Sequence, residues 1–248
     1  MPMVLVLLPA VDVPTASASL AMHVAVPAYF YPGSNPDPTW SRLGKGAPIA
    51  DLAVLNPASG PGTSPDSNYS RQVVEAQRSG LAVIGYVDTA YATRPLTDVK
   101  AEVDRHYQWY GVDGIFFDQA TTAPSYQPYF VELFNDVKAR TGKRTVAINP
   151  GTATDESYMA AADIVLTFEG AYADYRARVA PAWEARYSAE RFWHVVYDAS
   201  KVEMRRAVDL AHTRNVGHVY VTGDDLPNPW DTLPSGPYWS DELARIVG

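Results

Sequence analysis

Cysteine is absent from this 248-residue chain. That excludes disulfides, thiolate nucleophiles and cysteine-based zinc sites, and it leaves the compartment open. Positive charge is scarce as well: 20 Lys and Arg stand against 28 Asp and Glu, for a formal net charge of -8, and the basic residues form no cluster. Nucleic acid and anionic membrane surfaces are therefore poor partners. The five histidines, His23, His106, His194, His212 and His218, lack metal-ligand spacing, so neither a metal site nor a cofactor is expected. No Gly-x-Ser-x-Gly elbow is present, which argues against a serine hydrolase of that type. Beyond the first residues, no apolar run is long enough to span a membrane.

What the chain does have is a core. Hydrophobic residues make up 47% and charged residues 19%, the balance of a folded domain rather than a disordered chain. The apolar run Met3–Ala10 leads into Ala16-Ser17-Ala18, which resembles the hydrophobic and cleavage regions of an export signal. No Lys or Arg precedes Arg42, and Asp12 interrupts the run, so residues 1–22 read either as such a signal or as a disordered tail. A secreted or cell-surface protein is the corresponding expectation.

From Val24 onward, strand-like and helix-like patterns alternate. The strands read as Val24–Tyr31, Asp51–Asn56, Leu81–Asp88, Gly114–Gln119, Thr145–Asn149, Ile164–Glu169, Trp193–Asp198 and His218–Thr222. Helical patterns fall near Asn68–Arg78, Leu96–Tyr110, Tyr126–Arg140, Asp155–Ala161, Tyr172–Arg186, Lys201–Arg214 and Ser240–Val247, whereas Pro32–Ala50 is poor in helix signals. Eight strands separated by helices, with no long linker, point to one α/β domain over residues 23–248, a single (β/α)8 TIM barrel. A doubly wound sheet is the alternative, but the first strand is not followed by Gly-x-Gly-x-x-Gly. A monomer is the expected state.

Barrels of this kind carry their chemistry at the C-terminal ends of the strands. In chain order those ends hold Tyr31, Asn56, Tyr86 with Asp88, Asp118 with Gln119, Asn149, Glu169, Tyr197 with Asp198, and Thr222 with Asp224. Two apolar strands end in a carboxylate, Gly114-Ile115-Phe116-Phe117-Asp118 and Ile164-Val165-Leu166-Thr167-Phe168-Glu169. A pair so placed can act across one bond as acid and base, or as acid and nucleophile. Asp118 also has a capping reading, while Glu is a weak cap and rare in strands, so Glu169 is harder to explain structurally. Asn56-Pro57 and Asn149-Pro150 can equally be turn starters, and Asp88, Asp198 and Asp224 can be loop caps. With 16 Tyr and 6 Trp, rings at strand ends and loops, among them Tyr31, Tyr86, Tyr197 and Trp230, suit stacking on sugars; those in helical patterns read as packing. Carboxylates after strands seven and eight would repel phosphate, so a neutral or cationic substrate fits better.

Several ordered segments carry a family resemblance. They are Val26-Pro27-Ala28-Tyr29-Phe30-Tyr31-Pro32-Gly33, Asn56-Pro57-Ala58-Ser59-Gly60-Pro61-Gly62, Gly85-Tyr86-Val87-Asp88-Thr89, Tyr107–Asp118, Asn149-Pro150-Gly151, Phe168-Glu169-Gly170 and Leu226–Pro234. In these the chain resembles the spherulation-specific family 4 (spherulin 4-like) proteins, from about Val26 to the C-terminus. The resemblance implies a barrel fold and endo-α-1,4-galactosaminidase activity on a galactosaminogalactan-like exopolysaccharide. It maps the family's acidic residues onto Asp118 and Glu169, and Asp118 as nucleophile with Glu169 as general acid/base is the corresponding expectation. The chain departs from the family at Gln119, where a Glu usually follows the strand-four carboxylate. Gln hydrogen-bonds a sugar but donates no acidic proton. A non-catalytic carbohydrate-binding or cell-surface protein is accordingly the alternative expectation.

Overall fold

The computed structural model describes residues 22–248. The segment read as an export signal or tail lies outside the described residues apart from Met22, which is buried. Eight parallel strands close into a barrel in sequence order: β1 (His23–Ala28), β2 (Ala50–Leu55), β3 (Ala82–Asp88), β4 (Gly114–Asp118), β5 (Thr145–Ile148), β6 (Ile164–Ala171), β7 (Phe192–Tyr197) and β8 (His218–Val221). Each strand is a short, nearly continuous apolar run, as burial on both faces requires. The single (β/α)8 barrel is therefore the observed fold.

The helical layer is less regular than the sequence pattern implies. The helices are α1 (Pro38–Gly44), α2 (Ser67–Ser79), α3 (Leu96–Arg105), α4 (Gln127–Lys138), α5 (Tyr172–Tyr175), α6 (Lys201–Thr213) and α7 (Gly236–Val247). Helix α1 forms in the connection that looked poor in helix signals. Asp37 caps it by accepting from the Thr39 and Trp40 amides, with Pro38 at its first position. The patterns over Asp155–Ala161 and Tyr172–Arg186 yield only the 3-10 turn Glu156–Ala160, the single turn α5 and the 3-10 turn Ala182–Arg186. Pro181 lacks the N–H that a continuing helix would need. Between α3 and β4 the chain adds a π turn, His106–Tyr110, which lays the His106 ring against Gly85 and within 2.7 Å of the Tyr86 carbonyl. Among the described residues, no helix is long and apolar enough to cross a membrane.

Two seams of the barrel, β5–β6 and β1–β8, are paired at only two positions each. Strand β1 pairs with β8 only at His23–His218 and Val24–Val219, and Pro27 has no N–H to offer. The Thr222 amide bonds the β7 carbonyl of Val196, so the preceding amide, Val221, faces the β1 side. The Glu242 carboxylate of α7 supplies its acceptor, at 2.8 Å. Glu242 is fully buried, its other oxygen has no partner, and burial raises its pKa well above the ordinary value. It closes the seam as a buried acceptor. Glu242→Leu, which fills the space but removes the acceptor, is expected to cost about 1–3 kcal/mol by urea unfolding. Glu242→Gln keeps the acceptor and should retain wild-type stability or better.

Candidate active site

The C-terminal ends of β4 to β6 converge on one residue. Asn149, directly after β5, is 7% exposed, and its Nδ2 donates to Asp118 Oδ1 at 2.8 Å and to Glu169 Oε2 at 2.6 Å. Its Oδ1 accepts from the Gly151 amide at 2.7 Å, which fixes which way the amide points. The backbone around it is tied down equally firmly: Asn149 N–H to the Phe117 carbonyl, Ala120 N–H to the Asn149 carbonyl, and Glu169 N–H to the Gly151 carbonyl. Both carboxylate oxygens rest on the same nitrogen. They are therefore no farther apart than the 2.8 and 2.6 Å legs of that bridge, about 5.4 Å at full stretch.

Further donors complete the pair. Tyr86 Oη donates to Asp118 Oδ2 at 2.7 Å, and Trp230 Nε1 donates to Glu169 Oε1 at 3.3 Å. Tyr29, Tyr86, Phe116, Leu166, Val195, Trp230 and Pro27 wall a cavity of about 110 Å³ into which both carboxylates and Asn149 face. Burial raises the pKa of Asp118, opposed by hydrogen bonds from Tyr86, the Gln119 amide and Asn149, and Asp88 raises it a little further. Burial raises Glu169 as well, opposed by Asn149 and Trp230 and reinforced by the charge on Asp118. Asp118 thus has more donors stabilising its anion, while Glu169 has fewer and sits in its neighbour's field. This asymmetry makes Asp118 the more readily ionised of the pair.

Of the residues singled out at strand ends, Asp118, Glu169, Tyr86, Asn149 and Trp230 meet around this cavity. The others occupy the rim. Strand β1 ends at Ala28, so Tyr31 lies out on a loop, exposed, with its hydroxyl bonded to Asp66 and Asn68. Asn56 caps the Gly60 amide, and Asp88 caps the Ala90 amide at 2.6 Å. Asp224 accepts from the Thr232 hydroxyl and from none of the cavity residues, and Asp198 is exposed in a left-handed turn. Tyr197 packs edge-on against Trp230. Gln119 adopts φ 51°, its carbonyl accepts from Thr89 Oγ1 and the Tyr91 amide, and its side chain does not line the cavity.

Tyr29 was not singled out, yet its ring stands edge-on to Tyr86 at 5.7 Å and walls the cavity. The aromatic run Tyr29-Phe30-Tyr31 alone does not say which ring turns inward. Strand alternation from Pro27, which lines the same cavity, would have done so.

A parallel eight-stranded barrel with two bridged carboxylates at its C-terminal rim, walled by aromatic rings, is a barrel equipped for acid–base or nucleophilic chemistry. The chain belongs to spherulation-specific family 4, whose model matches residues 23–246. Spherulin-4 of Physarum polycephalum is 31% identical over 243 residues, covering 94% of this chain and 72% of that one. Among solved structures, Aspergillus clavatus Sph3 in complex with GalNAc superposes with a TM-score of 0.79 at 25% identity, over 92% of this chain and 98% of that one. The catalytic domain of the hyperthermophilic chitinase from Pyrococcus furiosus shares the fold at a TM-score of 0.56 and 11% identity, over 91% and 96% of the two chains.

The raised carboxyls have a consequence for stability. Asp118 and Glu169 both hold protons more tightly in the folded chain than in the unfolded one. The stability linked to them is fully present below the ordinary carboxylate pKa of about 4 and is lost as pH rises through their raised values. Asp118→Asn and Glu169→Gln are each expected to melt above wild type at pH 7. The difference should shrink as the pH falls toward 4, as followed by circular dichroism.

Proposed function

We propose that the protein is a retaining glycoside hydrolase that cleaves polysaccharide containing α-1,4-linked galactosamine or N-acetylgalactosamine. The observation that carries this reading is the Asn149 bridge, which holds one oxygen of each carboxylate within about 5.4 Å of the other, a close pairing that favours the roughly 5–5.5 Å of retaining enzymes over the 6.5–9.5 Å of inverting ones. Asp118 attacks the anomeric carbon while Glu169 gives its proton to the departing glycosidic oxygen. In the second step Glu169 takes a proton from water, whose oxygen displaces Asp118 from the sugar. Each step balances: one C–O bond forms as another breaks, and the proton returns to Glu169.

The substrate class rests on three supports. The GalNAc bound by the Aspergillus clavatus protein favours an amino sugar. The cavity is small beside the roughly 300–1,000 Å³ of pockets that engulf a ligand, which suits a long chain lying across the mouth. Burial raises the Tyr197 pKa, and the charges of Asp225, Asp174 and Asp198 raise it further; this negative rim suits residues bearing a free, protonated amine. Gln119 favours the second reading, a carbohydrate-binding protein without activity, but its side chain stands outside the cavity that holds the working pair.

The test is release of reducing ends from partly deacetylated galactosaminogalactan. Wild type is expected to release them, and Asp118→Asn and Glu169→Gln to fall by at least about 100-fold. Equal release by all three proteins sinks the assignment. Binding without release by wild type favours the second reading.

A further inference from the structure

Regular alternation along β6 would aim Glu169 the wrong way. Leu166 lines the cavity, so an undistorted strand puts Phe168 inside with it and turns Thr167 and Glu169 outward. The pairing with β7 is not regular, however. Leu166 pairs with Trp193 and Phe168 with His194, which leaves Thr167 as an extra residue with no partner, a β-bulge. Beyond it the parity is inverted. Phe168 packs outward on Tyr175 and His194, and Glu169, opposite Val195, faces the cavity. Gly170 turns outward again, and a Cβ there would come within 2.9 Å of the Phe168 ring.

A buried polar network holds the extra residue. Thr167 Oγ1 lies 3.1 Å from His194 Nε2, and Tyr175 Oη lies 2.9 Å from His194 Nδ1. All three side chains are buried. Arg178 donates its Nε to the Thr167 carbonyl at 3.4 Å and its Nη2 to Glu184 at 2.5 Å. A neutral imidazole has one N–H and one lone pair, and each hydroxyl supplies what the ring nitrogen facing it lacks. Burial, with Arg178 and Arg214 nearby, keeps that imidazole neutral. None of these groups lines the cavity, and an apolar filling of the same space would avoid burying them.

We propose that Thr167, held by His194 and Tyr175, is a positioning residue whose bulge turns the Glu169 carboxylate into the cavity. Its effect on turnover rests on the carboxylate-pair reading given above; its effect on geometry does not. The same network accounts for a buried histidine outside the reaction. It also explains why a strand with a carboxylate at the wrong parity delivers that carboxylate to the right place.

Thr167→Val keeps the shape and removes the hydroxyl; Thr167→Ser keeps the hydroxyl. The direct readout is the titration of the Glu169 side-chain carboxyl, followed by 13C NMR, which needs no turnover. In Thr167→Val the Glu169 pKa is expected to fall toward the ordinary carboxylate value as the group leaves its buried seat, and in Thr167→Ser to stay at the wild-type value. Alongside this, kcat on the polymer should drop about 10- to 100-fold in Thr167→Val with little change in KM, as expected for a displaced acid. A folded Thr167→Val with wild-type Glu169 titration overturns the proposal. Should Thr167→Val fail to fold, Tyr175→Phe removes only the outer hydroxyl and is read the same way. Should wild type release no reducing ends, the hydrolase reading fails, and the NMR titration still decides the positioning role by itself.

Discussion

One amide nitrogen, Asn149 Nδ2, shared between two carboxylates, is the constraint on which the site depends. Two buried carboxylates within about 5.4 Å repel each other and lose hydration, so they persist only where fixed donors replace the water. Asn149 gives each of them one of its two protons, and Tyr86 and Trp230 take the remaining oxygens. Because the Asn149 oxygen is engaged by the Gly151 amide, the side chain cannot flip to present an acceptor to either carboxylate without losing that bond. The backbone bonds from this residue to β4, and from Gly151 to Glu169, tie the tips of three neighbouring strands to the same point.

Around that centre, the outer layer of the barrel aims the inner one. His106, set by a π turn, packs on Gly85 and bonds the Tyr86 carbonyl, and Tyr86 in turn orients Asp118. A Cβ at Gly85 would lie 2.4 Å from the imidazole, so the glycine is what allows the approach. On the other side, Thr167, His194 and Tyr175 set the parity of β6 and thereby Glu169. In both arms a buried, neutral histidine outside the cavity stands behind a group inside it. The site is rigid because its supports are strands and packed rings rather than loops.

Much of this was legible in the residues, for a physical reason. An apolar strand that ends in Asp118, Asn149 or Glu169 advertises a polar group on rigid backbone, and strand counting placed all three on one rim. The rim residues were less legible. Asn56 and Asp88 also stand at strand ends, but short Asn and Asp side chains readily turn back to nearby amides, as both do here. The bulge at Thr167 could not be read, because a period of two assumes that no residue is inserted. The helices expected after β5 and β6 shrink to turns because tertiary packing and Pro181 override a helical pattern. Gln119 departs from the family at the very next position to Asp118, yet the backbone turns there and its side chain does not line the cavity.

The most direct test of the account is the stereochemistry of the first product. Proton NMR, recorded before mutarotation, reports the anomer released from an α-1,4-linked galactosamine oligomer. Carboxylates bridged by one amide are paired as closely as retention requires, so the account predicts that the α anomer appears first and the β anomer only afterwards. A product that appears first as the β anomer would contradict it.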